Sequence, residues 1–269
     1  MIDKIISGGQ TGADQAALDV AVKFNIPHGG WVPKGRKTEA GPLPLRYRLT
    51  QMPTTDYRDR TRKNVMASQG TVIFYRGRLT GGSHLTMELA ASCEKPYCAL
   101  DLLVNDPFEA AVMLQSFVGD NNIRILNVAG PRASHDPGMY ADVKLILETL
   151  LYLVFLEQEN ECPIPFTSCS KPAFPDSLDT AVQMLVQDLS LKGKTDIARL
   201  DDTKIMDIYF SWLDFLRFFL GLDAGNKPLL AACKKRADTA YFTIEDAVME
   251  TIKALKFHCD QTYQLRVVR

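Results

Sequence analysis

The chain has no surplus of either charge: 31 Lys and Arg against 32 Asp and Glu leave a formal net charge of −1 over 269 residues. That balance removes any global reason to expect DNA, RNA or an anionic membrane as partner. The six cysteines (Cys93, Cys98, Cys162, Cys169, Cys233 and Cys259) show no CxxC or other tight ligand spacing, which argues against a zinc site and a disulfide framework. Cys162 and Cys169 are near enough to meet across a loop, but free thiols in a reducing compartment are the simpler account. The opening MIDKIISGG has none of the basic, apolar and small-residue regions of a signal peptide. The most apolar later run, residues 145–156, contains Glu148 and is too short for a bilayer. His84 and His135 have no partner at metal spacing, and no Ser-His-Asp or Cys-His arrangement can be assembled. These absences leave a soluble, cytoplasmic chain with no metal site, long enough for one large domain or two modest ones, of which two is the expectation.

What is present is an alternation of short apolar runs and helical patterns. Residues 2–6 form a strand-like run ending in Ser7-Gly8-Gly9, and residues 11–24 place Ala17, Leu18, Ala21 and Val22 at helical spacing. A second strand is expected over 26–32, weakened by Pro27 and Gly29-Gly30, and residues 33–51 read mainly as loop, with a short extended piece near Leu49. A helix over 60–68 and a β-branched, aromatic strand over 71–75 lead to a second glycine turn. The pattern repeats with helix 83–93, strand 96–100, helix 107–117, strand 123–128 and helix 140–156. This succession predicts an α/β domain with a parallel sheet, helices on both faces and a ligand at the carboxyl ends of the strands. Four prolines between 161 and 175 mark a boundary. Beyond it the pattern is helical over 178–189, 201–220, 227–233 and 243–257, the second rich in aromatic residues that suit a small helical core or an interface. The expected organisation is a phospholigand-binding domain over 1–157, a linker over 158–176 and a helical accessory domain over 177–269.

Three loops carry the chemistry. In Ser7-Gly8-Gly9-Gln10-Thr11-Gly12-Ala13-Asp14, glycines let a strand turn into a helix with its backbone N–H groups open to an anion, and Ser7 and Thr11 add hydroxyls. The loop matches neither the dinucleotide fingerprint nor the Walker loop. Asp14 falls in the first helical turn, where it serves as a cap or as a contact to ribose, base or metal-bound water; it would repel a phosphate. Thr80-Gly81-Gly82-Ser83 opens a second helix, with Thr86 and Glu88 in its first turns, so two glycine turns of one sheet can converge on one ligand. The third loop runs from Asn127 through Gly130, Pro131 and Arg132 to Ser134. Charge supplies a separate argument: eleven basic residues between Lys34 and Arg78 face only Glu39, Asp56 and Asp59, a local +8 that leaves −9 for the rest of the chain. Such separation suits a phosphate or carboxylate ligand or an acidic partner surface.

The run SGGQTGADQAALDVAVKFNIPHGGWVPKGRKTEAGPLPLRY (residues 7–47), then Arg62 to Asn64, Leu79-Thr80-Gly81-Gly82 with Thr86 and Glu88, and LNVAGPRAS (residues 126–134) closely resemble the putative molybdenum carrier family, a bacterial group related to algal molybdenum cofactor carriers. The resemblance covers residues 2–157 and implies a Rossmann-like fold shared with lysine-decarboxylase-like and cytokinin-activating phosphoribohydrolase proteins. It implies a phosphorylated pterin, the molybdenum cofactor (molybdopterin), or another nucleotide-like phospholigand. The implied contacts are Ser7, Gly8, Gly9, Gln10, Thr11, Gly12 and Asp14 in the first loop, Arg62 and Asn64 after it, Thr80, Gly81, Gly82, Ser83 and Thr86 in the second loop, and Gly130 and Arg132 in the third. The phosphate is assigned to residues 7–12 or 81–83 with Arg62 or nearby arginines as clamps, and Trp31 is a candidate to flank the ring. Enzymatic relatives carry a PGG-type loop and a later glutamate that cleaves an N-glycosidic bond. Gly81-Gly82 and Glu88 keep that separation, but Thr80 replaces the proline, the internal glycine is missing and the threonine is displaced by one. A nucleotide hydrolase using Glu88 and Arg62 is therefore the alternative to a carrier, and a regulatory or structural protein the third reading. The stretch DLSLKGKTDIARLDD with GNKPLLAAC resembles a small bacterial helical domain of unknown function. A homo-oligomer, dimer or tetramer, is expected from related folds, with neither nucleic acid nor membrane as partner.

Overall fold

The computed structural model describes residues 2–157, 174–237, 239 and 241–263, and the chain divides into two compact units, Met1–Gln158 and Glu159–Arg269. Most of the expected linker, residues 158–173, lies outside the described residues, as does the approach of Cys162 to Cys169. Among the described residues no helix is long and apolar enough to cross a membrane.

The first unit contains strands β1 (Lys4–Ser7), β2 (His28–Gly29), β3 (Trp31–Val32), β4 (Lys37–Thr38), β5 (Gly41–Pro42), β6 (Thr50–Gln51), β7 (Gly70–Tyr75), β8 (Tyr97–Asp101) and β9 (Ile125–Ala129). Its α-helices are α1 (Ala13–Lys23), α2 (Tyr57–Met66), α3 (Gly81–Ser92), α4 (Pro107–Asp120) and α5 (Met139–Glu157). Five strands form one parallel sheet in the order β2-β1-β9-β7-β8. Taking β9 as the first strand turns that order into the 3-2-1-4-5 of a doubly wound Rossmann-like fold. β9 is flanked on both sides and its Leu126, Asn127 and Val128 are buried, as its apolar composition requires. Helices α1, α4 and α5 pack together, as do α2 and α3, which is the two-faced arrangement that right-handed crossovers impose on this strand order.

Local chemistry sets the element ends. Asp106 and Glu109 close a capping box on α4, with Pro107 in its first turn, and the Asp56 side chain accepts from Arg58 N–H to start α2 at Tyr57, three residues before the expected position. The expected strand over 26–32 is instead two pieces. Gly30, at φ 125°, has no room for a side chain: a Cβ there would lie 2.2 Å from the Ser7 carbonyl oxygen. The backbone turns at that point, so β2 pairs with β1 while β3 leaves the sheet to pair with β6.

The loop over 33–51 is more ordered than its composition suggests, because Arg36 holds it from inside. Its guanidinium donates to the carbonyls of Leu43 at 2.9 Å, Leu49 at 3.0 Å, Pro44 at 3.0 Å and Tyr47 at 2.9 Å. Leu43, Tyr47 and Leu49 then bury their side chains with Leu18 and Val32, and the Tyr47 hydroxyl donates to Asp19 at 2.7 Å.

The second unit is all helical: α6 (Leu178–Asp188), α7 (Leu191–Ala198), α8 (Ile205–Phe219), α9 (Lys227–Ala237) and α10 (Ile244–Thr262). Helix α10 contacts the other four and starts at a capping box made by Thr243 and Asp246. Tyr209, Trp212 and Phe219 of the aromatic helix are buried in this bundle. Helix α7 adds to the four expected. It has eight residues and contains Gly193, so its sequence lacks a readable period, and the Ser190 side chain starts it by accepting from Gly193 N–H at 3.1 Å.

Candidate functional site

In a sheet of this order a crevice opens where helices leave adjacent strands toward opposite faces. Here α5 follows β9 and α3 follows β7, and a cleft of about 590 Å³ lies at the carboxyl ends of these strands and of β1. All three glycine loops contribute: Gln10 and Asp14 from the first, Thr80, Gly81, Gly82, Ser83 and Thr86 from the second, and Gly130 and Arg132 from the third. Tyr57, Arg60 and Thr61 of α2 and Arg76 and Arg78 after β7 complete most of the wall. The volume is that of a small-molecule site.

The first loop is occupied with itself. Asp14, only 6% exposed, accepts the Gln10 N–H at 3.1 Å. The Gln10 side-chain oxygen accepts the N–H groups of Thr11 at 3.1 Å and Glu39 at 2.9 Å, and the Ala13 N–H donates to the Pro131 carbonyl at 3.3 Å. Gly12, at φ 76°, permits that approach, since a Cβ there would come within 2.4 Å of the same carbonyl oxygen. The Thr11 hydroxyl donates to Glu39 and accepts from Ala133 N–H at 3.1 Å. Glu39 also takes the Ser134 hydroxyl and the Ser134 N–H, the latter at 3.0 Å, so one carboxylate ties the 33–51 loop to the first and third loops. Partial burial pushes the Glu39 carboxyl up, but these bonds and Arg132 outweigh it and hold the group below its ordinary value. Ser7 is fully buried beneath the loop.

Asp14 and Arg60 meet over Gly8. A side chain on that glycine would lie 2.8 Å from the guanidinium and 2.8 Å from Asp14 Oδ2. Arg60 donates to the Gly8 carbonyl at 3.3 Å, while its Nε is buried without an acceptor among the described residues. Burial pushes the Asp14 carboxyl up to about 6, although Arg60, the Gln10 N–H and the Ser7 hydroxyl pull the other way.

The second loop is open. Thr80 precedes α3 without a side-chain cap, and the first backbone bond of this helix end comes from His84 N–H to the Thr80 carbonyl. The N–H groups of Gly81, Gly82 and Ser83 therefore have no acceptor among the described residues. A Cβ on Gly81 or Gly82 would meet nothing within 4 Å. The Thr86 hydroxyl is spent on the Gly82 carbonyl at 2.8 Å.

The remaining residues singled out from sequence lie elsewhere. Ser7, Gly8, Gly9, Thr11 and Gly12 stand behind the cleft and do not line it. Asn64 accepts the Trp31 N–H at 2.8 Å and so joins α2 to β3. Arg62 is exposed and outside the lining, as is Glu88, whose carboxylate pairs with His84 at 3.7 Å on the surface of α3. Sequence reasoning singled out Arg62 and left Arg60 among the nearby arginines. Helix spacing gives the signal, because residues 57, 60, 61 and 64 share one face of α2 and residue 62 falls on another. Much of the positive surplus is also structural: Arg36 holds carbonyls, Arg46 bonds the Tyr47 hydroxyl at 2.9 Å, and Arg76 bonds Asp136 at 2.7 Å and also Asp142. Arg78 has no side-chain acceptor among the described residues.

No curated protein matches the chain significantly. Among solved structures, the crystal structure of a putative molybdenum carrier protein from Syntrophus aciditrophicus is 51% identical, over 56% of this chain and 95% of that one, with a TM-score of 0.55. The matched share is slightly shorter than the first unit. The model of the circularly permutated YpsA SLOG family matches residues 5–151, and the sheet order can itself be written as a 3-2-1-4-5 sheet with its first strand moved to the end. The chain therefore belongs to the circularly permutated YpsA SLOG family.

Proposed function

We propose that the first unit binds a phosphorylated, nucleotide-like or pterin small molecule, with carriage of a molybdenum-bearing pterin as the form suggested by the name of its solved relative. The observation that carries this reading is the open α3 turn: three unpartnered N–H groups and two glycines with free space above them, in one cleft with Arg60 and Arg78. A helix end of this kind attracts an oxyanion through its dipole and donors, and guanidinium groups add charge-assisted bonds. The donor set suits the phosphate of an organic cofactor. Among the described residues no cluster of three His, Cys, Asp or Glu side chains is placed to hold a metal, so in this reading molybdenum arrives already ligated by its pterin.

Native mass spectrometry of protein purified without oxygen from a host that makes molybdenum cofactor tests the proposal. One pterin phosphate or nucleotide per chain, lost in Arg78→Ala and Gly82→Val, is the expected result. An empty protein that also fails to bind added nucleoside monophosphates would refute it. N-glycosidic hydrolysis is a second reading, favoured by Asp14, a cleft carboxyl that titrates near 6, in the range of a general acid. Release of free base from added nucleotide by wild type and not by Asp14→Asn would establish that reading.

A further inference from the structure

The two ends of the cleft are chemically unlike. At the α3 end the N–H groups of Gly81, Gly82 and Ser83 have no protein acceptor, and Arg78 stands beside them. At the α1 end the equivalent donors are already used: the Gln10 N–H by Asp14, the Thr11 N–H by the Gln10 side chain and the Ala13 N–H by Pro131. The protein has in effect placed its own anion, the Asp14 carboxylate, against the donors of the glycine turn between β1 and α1, which an oxyanion would otherwise use. A ligand phosphate at that end would meet the Asp14 carboxylate, with Arg60 already beside it, and few free backbone donors.

The two ends also stand apart. β1 and β7 flank β9, so the turns that follow them are separated by two strand spacings, roughly 10 Å. A single phosphate cannot touch both. The other cleft carboxylate, Asp136, is paired with Arg76 at 2.7 Å, which leaves Asp14 as the acceptor facing whatever extends from the phosphate.

Resting on the reading that this cleft binds a phospholigand, we infer that the phosphate monoester sits at the α3 turn and that Asp14 determines specificity by accepting from neutral O–H or N–H donors at the other end of the same molecule. A ribose diol and the amino and ring N–H edge of a purine or pterin share this donor chemistry. A buried, acceptor-only carboxylate favours such donors, because a ligand lacking them covers its remaining lone pairs without supplying a donor beyond those, such as the Gln10 N–H, that the protein already provides.

Calorimetric titration of the full chain with adenosine 5′-monophosphate, its 2′,3′-dideoxy analogue, guanosine 5′-monophosphate and inorganic phosphate tests the inference. Wild type is expected to favour the donor-bearing probe about tenfold or more, and Asp14→Asn to bring the paired probes within about twofold. Collapse of the ribose against dideoxyribose difference assigns the donors to the diol, and collapse of the guanine against adenine difference assigns them to the ring edge. Gly82→Val should weaken every probe, inorganic phosphate included, without changing their ranking. Selectivity that persists unchanged in Asp14→Asn, or probes that wild type does not distinguish from one another, would overturn the role of Asp14 while leaving phosphate binding intact. Failure of every probe to bind wild type would overturn both this inference and the reading beneath it.

Discussion

Replacing Asp14 by Asn is expected to stabilise the first unit at neutral pH, by an amount that shrinks in acid. Burial raises the folded carboxyl from its ordinary 3.8 to about 6. As pH rises from below 3.8 the unfolded chain loses this proton first, so stability falls until the folded carboxyl has also ionised, above about 6, and is then level. The resulting destabilisation is about 3 kcal/mol at pH 7.5 and about 1 kcal/mol at pH 4.5. Asparagine keeps an oxygen for the Gln10 N–H and carries no charge, so the variant should gain about 3 kcal/mol over wild type at pH 7.5 and about 1 kcal/mol at pH 4.5. The two tryptophans, Trp31 and Trp212, fall in different units. In a Trp212→Phe background, urea unfolding followed by fluorescence therefore reports the unit that contains Asp14. A gain of equal size at both pH values, or a loss at pH 7.5, would refute the reasoning.

Three further outcomes can be checked. Gly12→Ala forces a side chain at φ 76° and within 2.4 Å of the Pro131 carbonyl; it should cost about 2 kcal/mol or more by urea unfolding, and an unchanged midpoint would contradict the close approach of the two loops. Arg36→Gln removes most of four carbonyl bonds, so the loop over 43–49 should exchange its amide hydrogens faster and stability should fall by about 1–3 kcal/mol. Glu39→Gln should loosen the loops at 36–41 and 130–136 at pH 7, as read by limited proteolysis. Because the Glu39 carboxyl is held below its ordinary value, its contribution is present above that value and is lost as pH falls through the folded one, so the variant and wild type should converge in strong acid.

The parallel sheet was legible because apolar runs alternate with helical spacing, and a buried parallel strand such as β9 announces itself by composition. Glycines also marked the three loops that meet at the cleft. The roles of individual side chains were less legible. Thr11 and Glu39 bond across 28 positions, and Ser134 lies 95 positions from Glu39, distances at which periodicity carries no information. Arg36 and Arg62 look alike in a charge count, yet one is an internal clamp for four carbonyls and the other is exposed. The break at Gly30 and the helix at Leu191–Ala198 escaped because each is decided by packing within a few residues, on a scale shorter than either structural period.

The position of β9 governs how the molecule comes off the ribosome. The central strand of the sheet is the last of the five to be made, and 117 residues separate Ser7 at the end of β1 from Ile125 at its start. At 5–20 residues per second, β1 waits roughly 6 to 24 seconds for the strand that belongs beside it, and for roughly the last 2 to 10 of these β7 is finished too. During that interval both present bare ladder edges, the template on which chains pair with the wrong neighbour. A chain stopped short of residue 125 has two half-sheets with no seam to join them.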